Sequence, residues 1–290
     1  MQSSRSGLLQ GALAYGLWGL VAAYWKLLAH VSPVELIAHR AVWGLFTFVA
    51  ITFALGQGPA LRVALRDVRL VGVMFVSASL LAVNWGVFVA ATVSGHLLDA
   101  SLGYFINPLV SVALGTLVLR ERLRRLQWIA IALATIGVVL LAWRVGHVPW
   151  ISLLLAVTFG LYGLVRKTAR VEALVGSTIE TMLMAPVAAI YLGVLGGGVA
   201  AHTDASTMTL LVGTGVITAV PLVLFTSAAR ALPLSTVGFL QYLAPTGQFL
   251  LAVFAFGEPL ARDRLLAFVW IWVGLVVFSI DLARVSRRSS

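Results

Sequence analysis

The chain has 290 residues, of which 61% are hydrophobic and 10% charged, with a formal net charge of +10 and no cysteine. A soluble domain carries roughly a quarter of its residues as charges, so this chain cannot be wetted on all sides and a bilayer must be its solvent. The missing thiols exclude disulfides, thiolate nucleophiles and cysteine-based metal sites.

The apolar runs come in lengths near 20 residues, about what a ~30 Å hydrocarbon core asks of a helix. Backbone polar groups in lipid must be satisfied within the segment, so these runs should be helices. The alternating pattern of a membrane barrel is not seen. The expectation is an all-α membrane protein with ten spans, at 7–28, 33–55, 68–91, 97–119, 124–143, 149–166, 174–195, 208–229, 235–256 and 262–282. The connections are short, the longest running over 196–207 with Gly196, Gly197 and Gly198. The first apolar run continues into a full span without a cleavage site, so no removable signal is expected.

Arginine placement predicts orientation. With the N-terminus inside, the inner segments hold Arg5, Arg62, Arg66, Arg69, Arg120, Arg122, Arg124, Arg125, Arg166, Lys167, Arg170, Arg230, Arg284, Arg287 and Arg288. The outer loops hold only Arg144, Arg262 and Arg264, while Lys26 and Arg40 fall within spans. This fifteen-to-three bias puts both termini in the cytoplasm. Basic residues confined to short loops of a membrane chain set its orientation, so no nucleic-acid partner is expected despite the charge.

The two halves repeat. Gly16-Leu17-Trp18-Gly19-Leu20-Val21 in span 1 matches Gly160-Leu161-Tyr162-Gly163-Leu164-Val165 in span 6. Pro108 precedes Glu121 by 13 residues, as Pro245 precedes Glu258, and the offset of 137 between these pairs also sets Gly137 of span 5 on Gly274 of span 10. Glu35 and Glu180 come early in spans 2 and 7. These matches define repeats over 1–145 and 146–290. Each has five spans, an odd number, so the second must be inverted. Inverted repeats with a central site are a signature of alternating-access transporters.

Ionisable groups inside a bilayer need a partner, a cavity or a function. In span 2, Pro33 suits a first helical turn, and Glu35 and His39 share a face four residues apart. Arg40 lies ~7 Å deeper than Glu35 at the helical rise, too deep for a loop arginine. Lys26 and Glu35 flank a short outer turn; Lys167 and Glu180 lie at the inner ends of spans 6 and 7. The expectation is an outer polar gate of Lys26, Glu35, His39 and Arg40 and a mirrored inner one of Lys167 and Glu180, against the plainer readings of snorkelling lysines and a structural Glu35–Arg40 pair. Glu35, His39 and Glu180 are the titratable candidates if a proton drives transport.

Midway through the bilayer, Asn107-Pro108 in span 4 and Pro245 in span 9, with Gln241, Tyr242 and Gln248, offer amides and freed carbonyls. Pro221 breaks span 8. Trp18, Asn84, Trp85 and Tyr104 complete a substrate cavity of aromatic rings and amides. The competing readings are packing kinks for the prolines, plain lipid or helix contact for the tryptophans and interhelical glue for the asparagines. The Gly7-xxx-Gly11 pattern reads as packing. His30, His39, His96, His147 and His202 are scattered, and no metal pair, nucleophile motif or phosphate loop is present. No enzyme activity, metal or cofactor is therefore expected.

Tyr24-Trp25-Lys26-Leu27-Leu28, Glu35-Leu36-Ile37-Ala38-His39-Arg40, Asn84-Trp85-Gly86, Leu102-Gly103-Tyr104-Phe105-Ile106-Asn107-Pro108-Leu109 and Leu240-Gln241-Tyr242-Leu243-Ala244-Pro245-Thr246 resemble the RarD proteins, EamA-type transporters of the drug/metabolite transporter superfamily. The resemblance runs from about residue 7 to 282. It implies a ten-helix bundle of inverted halves in the bacterial inner membrane, with a central cavity from spans 1, 3, 4, 6, 8 and 9 that takes in Trp18, Asn84, Trp85, Tyr104, Asn107, Gln241 and Tyr242. Relatives of this kind export amino acids, other metabolites or drugs, and RarD proteins carry a chloramphenicol label. The expected function is a secondary transporter exporting a small polar or amphipathic metabolite. The alternatives are a broad drug efflux permease and, from another class, a membrane-embedded enzyme or scaffold.

Overall fold

The structure, a computed structural model, describes residues 2–94, 96–145, 149–194, 204–255 and 262–288. Twelve α-helices follow in chain order: α1 (Gln2–Leu27), α2 (Pro33–Ala54), α3 (Gly58–Arg66), α4 (Val68–Val93), α5 (Leu97–Leu117), α6 (Arg125–Val145), α7 (Trp150–Thr168), α8 (Ala173–Val194), α9 (Ala205–Ala231), α10 (Leu234–Gln241), α11 (Leu243–Leu250) and α12 (Arg262–Arg288). No strand occurs among the described residues. Ten helical segments are long and apolar enough to cross a membrane, with α10, α11 and the π-turn Leu251–Ala255 counting as one. All ten expected spans are found.

Local chemistry starts the helices where the sequence offers caps. Ser32 Oγ accepts the Glu35 amide at 3.4 Å and Pro33 fills the first turn of α2, where a missing N–H costs nothing. Asp67 accepts from the Arg69 and Leu70 amides at the start of α4. Asp204 does the same for Thr207 at 2.7 Å at the start of α9, and the bond holds its carboxyl below the usual range. Such caps satisfy amide donors that a helix leaves orphaned.

One element departs from the expected map. The segment after span 2, read above as a plain loop, contains the nine-residue α3. Leu61 and Ala64 are buried against Met74, Val175 and Ile179, while Arg62 and Arg66 point outward. A stripe this short carries little periodic signal; it becomes helical because the bundle end offers it an apolar seat.

The packing obeys a two-fold exchange of halves. α6 packs on α12, α2 on α8 and α5 on α10. The remaining large contacts come in exchanged pairs: α1 with α9 and α11, as α7 with α4 and α5; α2 with α9, as α8 with α4. The exchange holds at atomic detail where α6 crosses α12. A Cβ added to Gly137 would lie 2.6 Å from the Ala267 carbonyl oxygen, and one added to Gly274 would lie 2.9 Å from that of Ala130. Gly137 and Gly274, like Ala130 and Ala267, are 137 residues apart. Close backbone approach through small residues is how membrane helices associate when lipid is as apolar as their side chains. The Gly7 and Gly11 pattern also proves to be packing, against Leu232 and Leu240.

Glu258, His147, His202, Gly196, Gly197 and Gly198 lie outside the described residues. Gly137→Val should force this crossing apart and lower stability by about 1–3 kcal/mol. Thermal unfolding in detergent checks this, and Gly72→Val, where a Cβ meets open space, is the control that should shift little.

Candidate functional site

Two arginines enter the bundle, and their surroundings differ. Arg166, counted above among loop residues, is 1% exposed near the end of α7. Its Nε lies 3.6 Å from Glu180 Oε1. Its terminal nitrogens donate to the Ala173 carbonyl at 2.8 Å and to Met74 Sδ at 3.3 Å. Glu180 also accepts from Ser77 Oγ at 2.5 Å and Tyr162 OH at 3.3 Å. This is a closed buried ion pair tying α7, α8 and α4 together.

The expected inner gate is therefore corrected in its membership. Lys167, the next residue on the helix, points elsewhere: Nζ donates to the Ala229 carbonyl at 3.2 Å and to that of Leu232. It satisfies the last carbonyls of α9, which no amide of that helix can reach. Immediately beyond, the Glu121 carboxylate accepts from the Leu234 amide at 2.6 Å, the Ser235 amide at 2.9 Å and Ser235 Oγ at 2.7 Å. Lys167 and Glu121 thus hold the two helix ends at the α9–α10 link.

Arg40 has no such carboxylate; no ion pair of Arg40 is found among the described residues. The structural pair with Glu35 is not formed. The Arg40 guanidinium instead lies over two indole rings, 5.1 Å from the Trp25 centroid and 4.5 Å from that of Trp85. Its Nε donates to Thr218 Oγ1 at 3.1 Å. Tyr104 stands within electrostatic reach of the same guanidinium and is 41% exposed. Trp25, Trp85, Tyr104 and Thr218 thus bring α1, α4, α5 and α9 to the guanidinium carried by α2.

Glu35 is buried, with Oε1 3.8 Å from His39 Nε2. The Trp43 indole donates to His39 Nδ1 at 3.2 Å. An indole N–H can only donate, so Nδ1 is an acceptor and the neutral ring carries its proton on Nε2, facing Glu35. Lys26 is in the last turn of α1 and exposed. Glu35, His39 and Arg40 share α2, whereas Glu180 belongs to the separate pair with Arg166.

The expected amide site divides. Gln241 is buried and exchanges hydrogen bonds with Ser111, Nε2 to Oγ at 3.1 Å and Oγ to Oε1 at 3.4 Å. One helical turn before Ser111, Asn107 is buried with Oδ1 unmatched among the described residues. Here α5 crosses α10 closely: a Cβ on Gly238 would lie 2.8 Å from the Pro108 carbonyl oxygen. Pro108 and Pro245 lack the amides that would bond Tyr104 and Gln241 carbonyls, so each crossing helix carries one freed acceptor. Tyr242 turns to the opposite side of span 9, 1% exposed among Phe105, Val138, Phe268 and Ile271. Asn84 is spent as a tie, donating to the Leu155 carbonyl at 2.8 Å and Thr158 Oγ1 at 2.9 Å. Trp18 packs in a ring cluster with Tyr15, Phe159 and Phe225, at centroid distances of 5.3, 6.1 and 5.8 Å.

A further cavity of about 430 Å³ lies between α2, α4 and α8, with Ile37, Ala41, Phe75, Trp85 and Met184 among its walls. Trp85 therefore touches both this apolar space and Arg40. Trp25, Thr218, Ser111 and Arg166 are the neighbours sequence reading missed. Trp25 and Ser111 had a usable signal, one residue before Lys26 and one turn after Asn107; Thr218 had none.

Removing one partner of a buried pair leaves an uncompensated charge. Arg166→Met or Glu180→Gln alone should each destabilise the protein by about 3–5 kcal/mol, and the double variant should recover much of the loss. Unfolding midpoints of the four proteins, measured in one detergent, check the cycle.

Comparison with known proteins agrees with this architecture. The profile of the EamA-like transporter family matches residues 5–143. The chain is 47% identical to an uncharacterised transporter of Pseudomonas aeruginosa over 98% of this chain and 96% of that protein. It is 43% identical to protein RarD of Escherichia coli, covering 100% and 99% of the two chains. A more distant relative, 31% identical over 100% of this chain and 99% of its own, is the chloramphenicol-sensitive protein RarD of Pseudomonas aeruginosa. One solved crystal structure has the same fold, with a TM-score of 0.78 at 23% identity over 96% of this chain and 99% of that one. With near full-length identity to RarD proteins added to ten membrane-spanning helices, the chain belongs to the EamA-like transporters and is a multi-pass membrane transporter of the RarD type.

Proposed function

We propose that the protein is a secondary transporter that moves a small polar or amphipathic metabolite outward across the bacterial inner membrane by alternating access. The observation that carries the reading is the polar crossing of α5 and α10, where Asn107 has a buried oxygen unmatched among the described residues, on spans that each carry a proline-freed carbonyl. An unsatisfied buried acceptor costs about 1–3 kcal/mol, so it is best explained by a ligand that supplies the donor. Broken helices at the interface of two repeats are where such transporters bind. The repeats are 1–145 and 146–290, and the fifteen-to-three arginine bias puts both termini in the cytoplasm.

In this reading Arg40, Trp85, Tyr104, Asn107 and Gln241 face the solute. Lys26, Glu35 and His39 form the polar group at the outer end, and the Arg166–Glu180 pair and the Lys167 and Glu121 ties lie at the inner end. If a proton is coupled, Glu35 is the better carrier than His39. Protonating His39 at Nδ1 would forfeit the Trp43 hydrogen bond, whereas Glu35 has an imidazole N–H already facing it.

A second reading, efflux of an apolar or amphenicol-like drug, draws on the cavity of about 430 Å³ between α2, α4 and α8. It would admit a solute from the lipid.

Proteoliposomes separate the readings. Loaded with amino acids, nucleosides and amphenicols, they should release at least one solute faster than protein-free vesicles. Release confined to amphenicols favours the second reading, and no release of any solute overturns transport of these classes. For a released metabolite, Asn107→Ala should cut flux about fivefold to tenfold, the equivalent of one lost hydrogen bond; unchanged flux moves the site away from the α5–α10 crossing.

A further inference from the structure

We infer that Arg40 is the binding site for an anionic group, so that the transported solute is an organic anion or zwitterion bearing a carboxylate. The inference rests on the transport reading above and narrows its substrate class.

A guanidinium has five N–H donors and no acceptor. In Arg40 the Nε–H is used by Thr218 Oγ1, and the guanidinium carbon lies over the Trp25 and Trp85 rings. Ring faces attract the cation but accept none of its in-plane hydrogen bonds. The edge formed by Nη1 and Nη2 finds no hydrogen-bond or ion-pair partner among the described residues. That edge has the fork geometry that matches a carboxylate in bidentate fashion.

The contrast with Arg166 is informative. There the same side chain, in the same membrane, is closed off by Glu180, a backbone carbonyl and Met74. An intramembrane arginine can thus be paired with a carboxylate by this fold, whereas Arg40 has no carboxylate partner among the described residues. The two indoles and the Thr218 bond hold the guanidinium in place, with its Nη1–Nη2 edge unmatched among the described residues. Tyr104, 41% exposed, is the accessible side chain within electrostatic reach of the guanidinium. On α2 the positive charge follows His39 directly and stands five residues from Glu35, so an arriving anion would meet the titratable pair on its path.

The chain has no cysteine, which permits a test that does not depend on knowing the solute. Tyr104→Cys places one thiol at this accessible position near Arg40. In membrane vesicles its reaction rates with sulfonatoethyl methanethiosulfonate (anionic) and trimethylammonioethyl methanethiosulfonate (cationic) are measured, and their ratio is divided by that for 2-mercaptoethanol. Dividing removes intrinsic reactivity, and both reagents see the same thiolate fraction.

With Arg40 present, and with Arg40→Lys, the anionic reagent should be favoured about tenfold or more, as expected for a unit charge a few ångströms away in a medium of low dielectric. Arg40→Gln and Arg40→Met should each bring the ratio to within about threefold of unity. Two neutral variants guard against one failing to fold. A ratio that ignores Arg40, favours the cation, or cannot be measured because neither reagent reaches the thiol overturns the anion site. The transport reading fails separately: a retained anionic preference with no solute release from proteoliposomes would leave the site standing without the transporter.

Discussion

In hydrocarbon a charge must be answered, and the structure is organised around how each one is. Arg166 is answered by Glu180 with Ser77 and Tyr162 behind it. Lys167 and Glu121 are answered by backbone groups that would otherwise be orphaned at the ends of α9 and α10. Arg124 is met by Asp281 across α12. Desolvating any of these unpaired would cost several kcal/mol, so each contact fixes which helices may be neighbours. Arg40 is the exception: among the described residues it is met by Thr218 and two indoles and by no carboxylate.

The two-fold exchange orders the helices that carry these groups. Helices α6 and α12 form a symmetric pair at a crossing of glycine on carbonyl, and the other contacts pair off around it. Equivalent segments then present their ends to opposite faces of the bundle. The polar group on α2 and the ion pair of α7 and α8 occupy comparable places early and late in the two halves. Their chemistry differs: a carboxylate with an imidazole in one half, a carboxylate with a guanidinium in the other. Symmetry of the backbone has been kept while the side chains have diverged.

Much of this was legible in the sequence. Hydropathy found every span because a 20-residue apolar run has little else to be. The offset of 137 paired two glycines that both sit at the crossing of α6 and α12, each against a backbone carbonyl of the other helix. What failed was direction. Arg166 and Lys167 are adjacent at a span end, and a helix turns about 100° per residue, so one faces the core and the other the α9–α10 link. Nothing in the local string says which. The same holds for Gln241 and Tyr242, one bonded to Ser111 and the other turned toward α12. Arg40 was recognised as too deep for a loop, but its partners come from spans 1, 3 and 8 at sequence distances that no pattern joins. Proline positions told where carbonyls are freed, not what stands opposite them.

One contact bears on how such a bundle could move. Gly19 of α1 meets Gly247 of α11 almost backbone to backbone: a Cβ on either would lie 3.2 or 3.1 Å from the other's Cα. Interlocked ridges and grooves make two helices behave as a ratchet, since side chains must climb past one another for the helices to turn. Two bare backbones have nothing to climb. At this point the first and ninth spans form a smooth bearing, and a rolling of α1 on α11 would drag no side chain through another. Because α1 also carries Trp25 over Arg40, such a roll would lift one wall from the guanidinium. Friction at Gly19 and Gly247 would thereby set how readily the cation is uncovered.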